Sequence, residues 1–214
     1  MLATRIAEGA AALGCELSAG QAGQLARLLG ELERWNRRIN LTAIRDLDEM
    51  VSGHILDSLA VRPMLRGRAI LDIGTGAGFP GLPLAIVEPA RRFVLLDSNG
   101  KKISFVREMI GALGLGNADP VKARAEDYAP GSRFDTVIAR ALASLPDLVG
   151  LSSHLVADDG QLLALKGKYP AEELEAIRSL PDWEYSVMPV DVPGRKAHAR
   201  HVVRLERISA ASRN

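Results

Sequence analysis

Apolar residues near the start of the chain recur at spacings of three and four: Leu25, Leu28, Leu29, Leu32, Trp35 and Ile39, with charged residues between them. That period gathers them on one face of an amphipathic helix. Ser18 stands where such a helix needs its N-cap. A second helix is predicted over 47–62 and is stopped by Pro63, which cannot continue the hydrogen-bond ladder. Its apolar Met50, Ile55, Leu59 and Val61 are mixed with His54 and Asp57. From Ala69 the pattern changes to short apolar runs at 69–73, 92–96, 121–124, 134–139 and 161–165, alternating with helical stretches such as 101–113 and 145–156. Continuous apolar runs mark strands buried on both faces, and their alternation with helices predicts a parallel sheet. Two later runs, 183–192 and 198–208, face each other across Pro193-Gly194 and predict an antiparallel hairpin at the sheet edge. The expected architecture is α/β: a mostly parallel, doubly wound sheet over 67–214 with a C-terminal antiparallel hairpin, behind a helical N-terminal extension over 1–66 packed on the core.

Composition narrows the class. A chain of 214 residues, 47% hydrophobic and 25% charged, has the make-up of a globular protein that buries roughly 70% of its unfolded surface. No stretch has the apolar length of a membrane span. Arg5 and Glu8 interrupt the N-terminus where an export signal needs an apolar run. Cys15 is the only cysteine, which excludes an internal disulfide, an iron–sulfur cluster and a cysteine-rich zinc site and fits a reducing cytosol. The expectation is a cytoplasmic protein, monomeric and without membrane contact. His54, His154, His198 and His201 are scattered, so no metal site is expected; His54, beside Asp57 and Ser58, is the least clear of the four. The net charge of +1 carries no nucleic-acid signal. Over 194–214, however, Arg195, Lys196, Arg200, Arg204, Arg207 and Arg213 stand against Glu206 alone. Such a cluster is either a phosphate contact or a solvated face. With aromatic residues at only 4%, a passive RNA-stacking module is disfavoured.

The strongest local signal is Ala69-Ile70-Leu71-Asp72-Ile73-Gly74-Thr75-Gly76-Ala77-Gly78-Phe79-Pro80-Gly81. A strand ends in three glycines at alternate positions, and Pro80 suits the first turn of a helix. Such a turn lets a ligand approach the backbone at a helix N-terminus. The dinucleotide pattern G-x-G-x-x-G requires glycine where Phe79 stands. The observed G-x-G-x-G, with Asp72 two residues before it, is the S-adenosylmethionine variant of the motif. Asp97, at the end of the second strand run, lies 23 residues after Gly74, close to the spacing of an acid that binds ribose hydroxyls; an aspartate that only caps the next helix is the alternative. Ala125-Glu126-Asp127 follow the third run, where an acid or a backbone amide could meet the adenine edge.

Methyl transfer from a sulfonium is an in-line displacement that needs alignment above all. Pyrimidine C5 as acceptor usually requires a cysteine adduct, and Cys15 is far from the motifs. An exocyclic amine usually goes with an Asn/Asp-Pro-Pro-aromatic motif after the fourth strand, where this chain has Ala139-Arg140-Ala141-Leu142. Guanine N7 fits, since its lone pair carries no proton and needs no general base. Its acceptor-rich edge suits an arginine fork. Arg140, Arg124 and Lys166 all fall at the C-terminal ends of predicted strands, where α/β sites form; each could instead be a surface ion-pair partner.

The run from Leu71 to Ala85 resembles the hallmark of the bacterial 16S ribosomal RNA guanine-N7 methyltransferases, the RsmG or GidB family. Trp35-Asn36, Asn40-Leu41-Thr42, His54 to Leu59, Ala139-Arg140-Ala141 and Leu165-Lys166-Gly167 match it as well. The resemblance implies a Rossmann-like class I methyltransferase fold using S-adenosyl-L-methionine. It also implies a guanine acceptor in 16S rRNA near the decoding centre, met as free RNA or as a small ribosomal subunit precursor. It places cofactor contacts at Gly74, Phe79, Asp97, Ser98, Asn99, Ala125, Glu126 and Arg140, beside Asp72, Gly76 and Gly78 of the glycine run. Arg124, Arg140 and Lys166 match the positive residues around the family's pocket. A small-molecule methyltransferase, or a cofactor-binding module without turnover, stays open as an alternative.

Overall fold

The computed structural model describes residues 1–178, 180, 182–195 and 200–208. Two helices, α1 (Leu2–Ala12) and α2 (Ala19–Asn36), open the chain. Ser18 does cap α2: its hydroxyl accepts from Gln21 N at 3.2 Å while Gln21 Oε1 accepts from Ser18 N at 3.0 Å. The α2 stripe Leu25, Leu28, Leu29 and Leu32 is wholly buried.

The helix expected over 47–62 is not one α-helix. It runs as α3 (Leu47–Met50), a π-helical turn Val51–Leu56 and α4 (Asp57–Leu59). Pro63 does not end it but sits in a separate 3-10 turn, Arg62–Met64. A π turn bonds to the fifth residue rather than the fourth, so it changes the angular position of every side chain after it. Here the π turn carries His54 and ends just before Asp57, two polar residues that are both buried.

The sheet comprises β1 (Ala69–Ile73), then after α5 (Gly81–Val87) β2 (Arg92–Asp97), and after α6 (Gly100–Leu113) β3 (Ala118–Lys122). It continues through β4 (Phe134–Arg140), α7 (Leu145–Ser152), β5 (Val156–Lys166), α8 (Ala171–Ile177), β6 (Trp183–Val190) and β7 (Arg200–Arg207). The strand order is β3-β2-β1-β4-β5-β7-β6. The first five strands pair in parallel, and β7 runs antiparallel to both β5 and β6. The hairpin therefore inserts its second strand against the sheet and leaves β6 at the edge. Its turn falls at the expected Pro193-Gly194, with Arg195 N bonded to Val192 O at 3.0 Å. Part of the predicted second strand, including His198, lies outside the described residues, as do Lys196 and Arg213.

Strand β3 starts three residues before the expected 121–124 and ends before Arg124. Its register is set by β2, with Phe93 opposite Ala118 and Asp97 opposite Lys122. Pro120 is tolerated because β3 is an edge strand. The helix expected over 145–156 gives way after Ser152 to a 3-10 turn, and Val156 already begins β5.

Alternation along the strands splits the core into two layers. Ile70, Phe93, Leu95, Ile138 and Leu163 join a buried cluster with the N-terminal helices, α5 and α6. Leu71, Ile73, Val94, Leu96 and Val137 join a second cluster with α7 and α8. The N-terminal segment is thus one cover of the sheet. It is also tied by polar bonds, Gln24 Nε2 to Leu113 O at 2.8 Å and Arg27 to Ala112 O at 2.7 Å. Among the described residues no helix is long and apolar enough to cross a membrane. The strand order reverses between β1 and β4, and a crevice at their carboxyl ends is where open α/β sheets bind ligands.

Candidate active site

The glycine turn leaves β1 at that crevice. Gly74, Gly76 and Gly78 have φ of 65°, 61° and 87°, a region closed to most side chains by clash of Cβ with the backbone. The turn is fixed to β2 by Thr75 N donating to Leu96 O at 3.0 Å. Asp72 lies beneath it, fully buried: its Oδ2 accepts from Thr75 Oγ1 at 2.6 Å and from Gly81 N at 2.8 Å. Burial pushes its carboxyl up to about 6, against the lowering effect of the Thr75 bond. Asp72 thus braces the turn and does not line the cavity above it. Gly78 is also set back, packed where a Cβ would collide with Leu82. Pro80 precedes α5 as its N-cap residue, following a cis peptide from Phe79.

Asp97 closes the turn from the β2 side. Its Oδ2 accepts from Gly76 N at 2.9 Å and its Oδ1 from Asn99 N at 2.8 Å. The cap of α6 is Asn99, whose Oδ1 accepts from Lys101 N at 3.0 Å. The capping alternative considered for Asp97 therefore passes to its neighbour, and Asp97 stays at the cavity wall.

Between the turn and the ends of β2, β3 and β4 lies a cavity of about 730 Å³, the size of a cofactor site. Gly74, Gly76, Phe79, Asp97, Ser98 and Asn99 line it, as do Arg124, Ala125, Glu126 and Arg140. A Cβ on Gly76 would meet only Gly74 O, at 3.9 Å, so the space beside its Cα is open cavity. An acid at one wall, small residues beneath and a polar loop opposite form a donor and acceptor set suited to a nucleoside. Arg124 stands at the exposed rim, 3.7 Å from Glu126. Lys166 is turned elsewhere, donating to Ala143 O at 2.9 Å and to Glu173 Oε2 at 2.6 Å. Glu173 also accepts from Leu145 N at 2.6 Å, so Lys166 holds the loop after β4 instead of lining the cavity. Among the described residues no group of histidine, cysteine or carboxylate side chains could hold a metal.

Arg140 ends β4 at the cavity and is fixed from the π turn and the start of α4. Its Nη1 donates to Asp57 Oδ2 at 3.1 Å and to Gly53 O at 3.2 Å. Its guanidinium lies 5.7 Å from the centroid of the Phe79 ring. His54, the least clear of the four histidines in the sequence, lines the cavity with Leu41 and Thr42. Its ring stacks on Phe79, and its Nε2 lies 2.9 Å from Thr42 Oγ1. Burial, and then the charge of Arg140, lower its pKa to about 4. Asp57, which sequence reasoning did not place in the site, is buried and pairs with both Arg140 and Arg200. The available signal was two polar residues three apart inside an apolar helical run, on a stretch matching the family. Leu142 was missed too: it lines the cavity next to Ala141, whose φ is 52°.

A family model described as rRNA small subunit methyltransferase G matches residues 21–203. The ribosomal RNA small subunit methyltransferase G of Idiomarina loihiensis is 48% identical over 187 residues, covering 87% of this chain and 90% of the relative. That of Aeromonas salmonicida is 53% identical over 154 residues, covering 72% and 74%. Among solved structures, magnesium protoporphyrin IX methyltransferase of Synechocystis, with bound S-adenosylmethionine, matches with a TM-score of 0.58 at 16% identity, over 89% of this chain and 98% of that one. An rRNA methylase of Streptococcus thermophilus matches with a TM-score of 0.52 at 12% identity, over 72% and 95%. At such identities these structures show the fold alone, that of the class I methyltransferases. The sequence matches show more, and the chain belongs to the rRNA small subunit methyltransferase G family.

Proposed function

We propose that this enzyme transfers a methyl group from S-adenosylmethionine to N7 of a guanine in 16S ribosomal RNA near the decoding centre, as a cytoplasmic monomer. Family membership carries rRNA methylation and the cofactor. The choice of atom is supported chiefly by Arg140, which reaches the cavity at the end of β4 with its Nη1 held by Asp57 and Gly53. The rest of its fork is left to face a ligand, and guanine presents O6 beside N7 as the acceptor such a fork reads.

The cavity fits the cofactor. Asp97 would bind the ribose hydroxyls, for each of its oxygens accepts one backbone amide and keeps a further lone pair. Ala125 and Glu126 would meet the adenine edge, Ser98 and Asn99 the sugar side, and Gly74 and Gly76 the methionine end. Bound, S-adenosylmethionine supplies an electrophilic methyl group on a sulfonium sulfur. The protein then supplies alignment, because the N7 lone pair is unprotonated and no residue has to remove a proton. The lining agrees with that economy. His54 is held neutral and bonded to Thr42, and Cys15 is buried between α1 and α2, outside the cavity. Arg124, exposed at the rim and 3.7 Å from Glu126, would meet the RNA backbone. Mass-spectrometric mapping of small-subunit RNA from cells with and without the gene tests this reading. The expected result is one 7-methylguanosine lost with the gene; identical RNA from both strains overturns it and favours a small-molecule acceptor.

A further inference from the structure

Beyond the cofactor cavity, positive charge converges on one buried carboxylate. Asp57 is 7% exposed at its side chain and accepts from Arg200 Nε at 2.7 Å on Oδ1, and from Arg140 Nη1 at 3.1 Å on Oδ2. Arg195, just past the hairpin turn, joins them: a Cβ on Gly53 would lie 2.6 Å from its Nη1. Its Nε is buried and has no hydrogen-bond partner among the described residues. Its guanidinium loses basicity by burial and by the charges of Arg200 and Arg140, with Asp57 and Glu49 opposing. His54 adds no charge of its own near neutral pH. Three guanidinium groups thus face one buried carboxylate, with Glu49 the other acid in reach. Like charges brought together and partly desolvated are unfavourable unless an anion completes the group.

We infer that Arg195 and Arg200, braced by Asp57, form a site for one backbone phosphate of the substrate RNA beside Arg140. Two non-bridging oxygens match the fork of a guanidinium, and no described residue accepts from the Nε of Arg195. Tyr169, 57% exposed, meets His201 edge to face with ring centroids 5.6 Å apart. That pair lies on the opposite face of β7 from Arg200; the phosphate of a nucleic acid is preferred to a free anion because the proposed substrate is RNA. Asp57 then acts as a positioning residue. By holding Arg200 with one oxygen and Arg140 with the other, it fixes the distance between the gripped phosphate and the base presented for methylation.

This inference rests on the RNA reading, and the test separates the two. Small ribosomal subunits are the probe, with affinity measured across salt and S-adenosylmethionine affinity measured in parallel. Arg195→Gln combined with Arg200→Gln removes one phosphate contact, so the slope of log affinity against log salt should flatten by about 0.7–0.9, with cofactor affinity unchanged. A change of about 1.4–1.8 means two separate phosphates and overturns the shared site; an unchanged slope overturns any phosphate contact. Should wild-type protein place no tritiated methyl on RNA, the RNA reading fails by itself, and the anion site is then judged with inorganic phosphate. Binding seen by NMR titration of wild type and lost in Arg195→Gln supports the site, and equal binding refutes it. Arg195→Gln alone guards against misfolding of the double variant, because Arg195 is not one of the two arginines paired with Asp57.

Discussion

The rings of His54 and Phe79 lie face to face, with centroids 4.6 Å apart and planes 20° from parallel. One residue belongs to the π turn of the N-terminal segment and the other to the glycine turn after β1. The stack therefore joins the helical cover to the loop that shapes the proposed cofactor cavity. The same Phe79 ring receives the Arg140 guanidinium at 5.7 Å, so a proton on His54 would put a second positive charge beside Arg140 in a buried setting. Burial first, and then this charge, lower the His54 pKa.

Acid stability should reveal that arrangement. The folded His54 pKa of about 4 lies below its ordinary 6.5, so as pH falls through that window the unfolded chain takes the proton first and stability is lost. The folded Asp72 pKa of about 6 lies above its ordinary 3.8, so the folded chain takes that proton first and gains stability over an overlapping window. Between pH 7 and 5 the His54 loss is about 2 kcal/mol and the Asp72 gain about 1 kcal/mol. Relative to wild type over this interval, His54→Gln should therefore gain stability and Asp72→Asn should lose it. Urea titrations at both pH values check this, and variants that track the wild-type pH dependence would contradict both assignments.

Much of this was legible locally. The buried strands announce themselves as apolar runs because both faces are covered, and the glycine turn is a contiguous signal. What was not legible depends on partners distant in the chain. Asp57 meets Arg140 across 83 residues, and hydrophobic periodicity carries no mark of that pairing. The π turn keeps an apolar face that reads as ordinary helix. Lys166 is at a strand end as expected, yet Glu173, a turn of chain later, draws it away from the cavity. Pro120 obscured β3 because strand propensity does not distinguish an edge from a centre.

Gly76→Val should abolish cofactor binding while leaving the protein folded. The position has φ of 61°, and the cavity lies where the side chain would extend. A β-branched residue is both strained there and in the way of the ligand. Calorimetry with S-adenosylmethionine, alongside a thermal melt, checks it; a folded variant of unchanged affinity would remove the glycine turn from the site.

Asp97→Ala should weaken the cofactor by about 1.5–3 kcal/mol, the range for hydrogen bonds to a charged group. The variant also strips Gly76 N and Asn99 N of their acceptor, which loosens the loop. Asp97→Asn keeps one acceptor oxygen and should lose less. An affinity loss below twofold in the alanine variant would confine Asp97 to shaping the loop.

Arg140→Ala should lower turnover far more than it lowers RNA affinity. The guanidinium is bound to Asp57 and Gly53 before any substrate arrives, so its orientation costs nothing further at the moment of reaction. A group that aligns the acceptor acts mainly in the transition state, and misalignment of about 1 Å costs on the order of 100-fold. Because Arg140 also lines the proposed cofactor cavity, turnover has to be measured at saturating S-adenosylmethionine. Arg140→Lys separates charge from geometry: it keeps the positive charge near Asp57 but loses the planar fork. If alignment is the role, the lysine variant holds RNA nearly as well as wild type yet turns over almost as slowly as the alanine variant. Recovery of wild-type turnover by lysine would make Arg140 a source of charge alone. A rise in KM for RNA at unchanged kcat in the alanine variant would place it in binding instead of alignment.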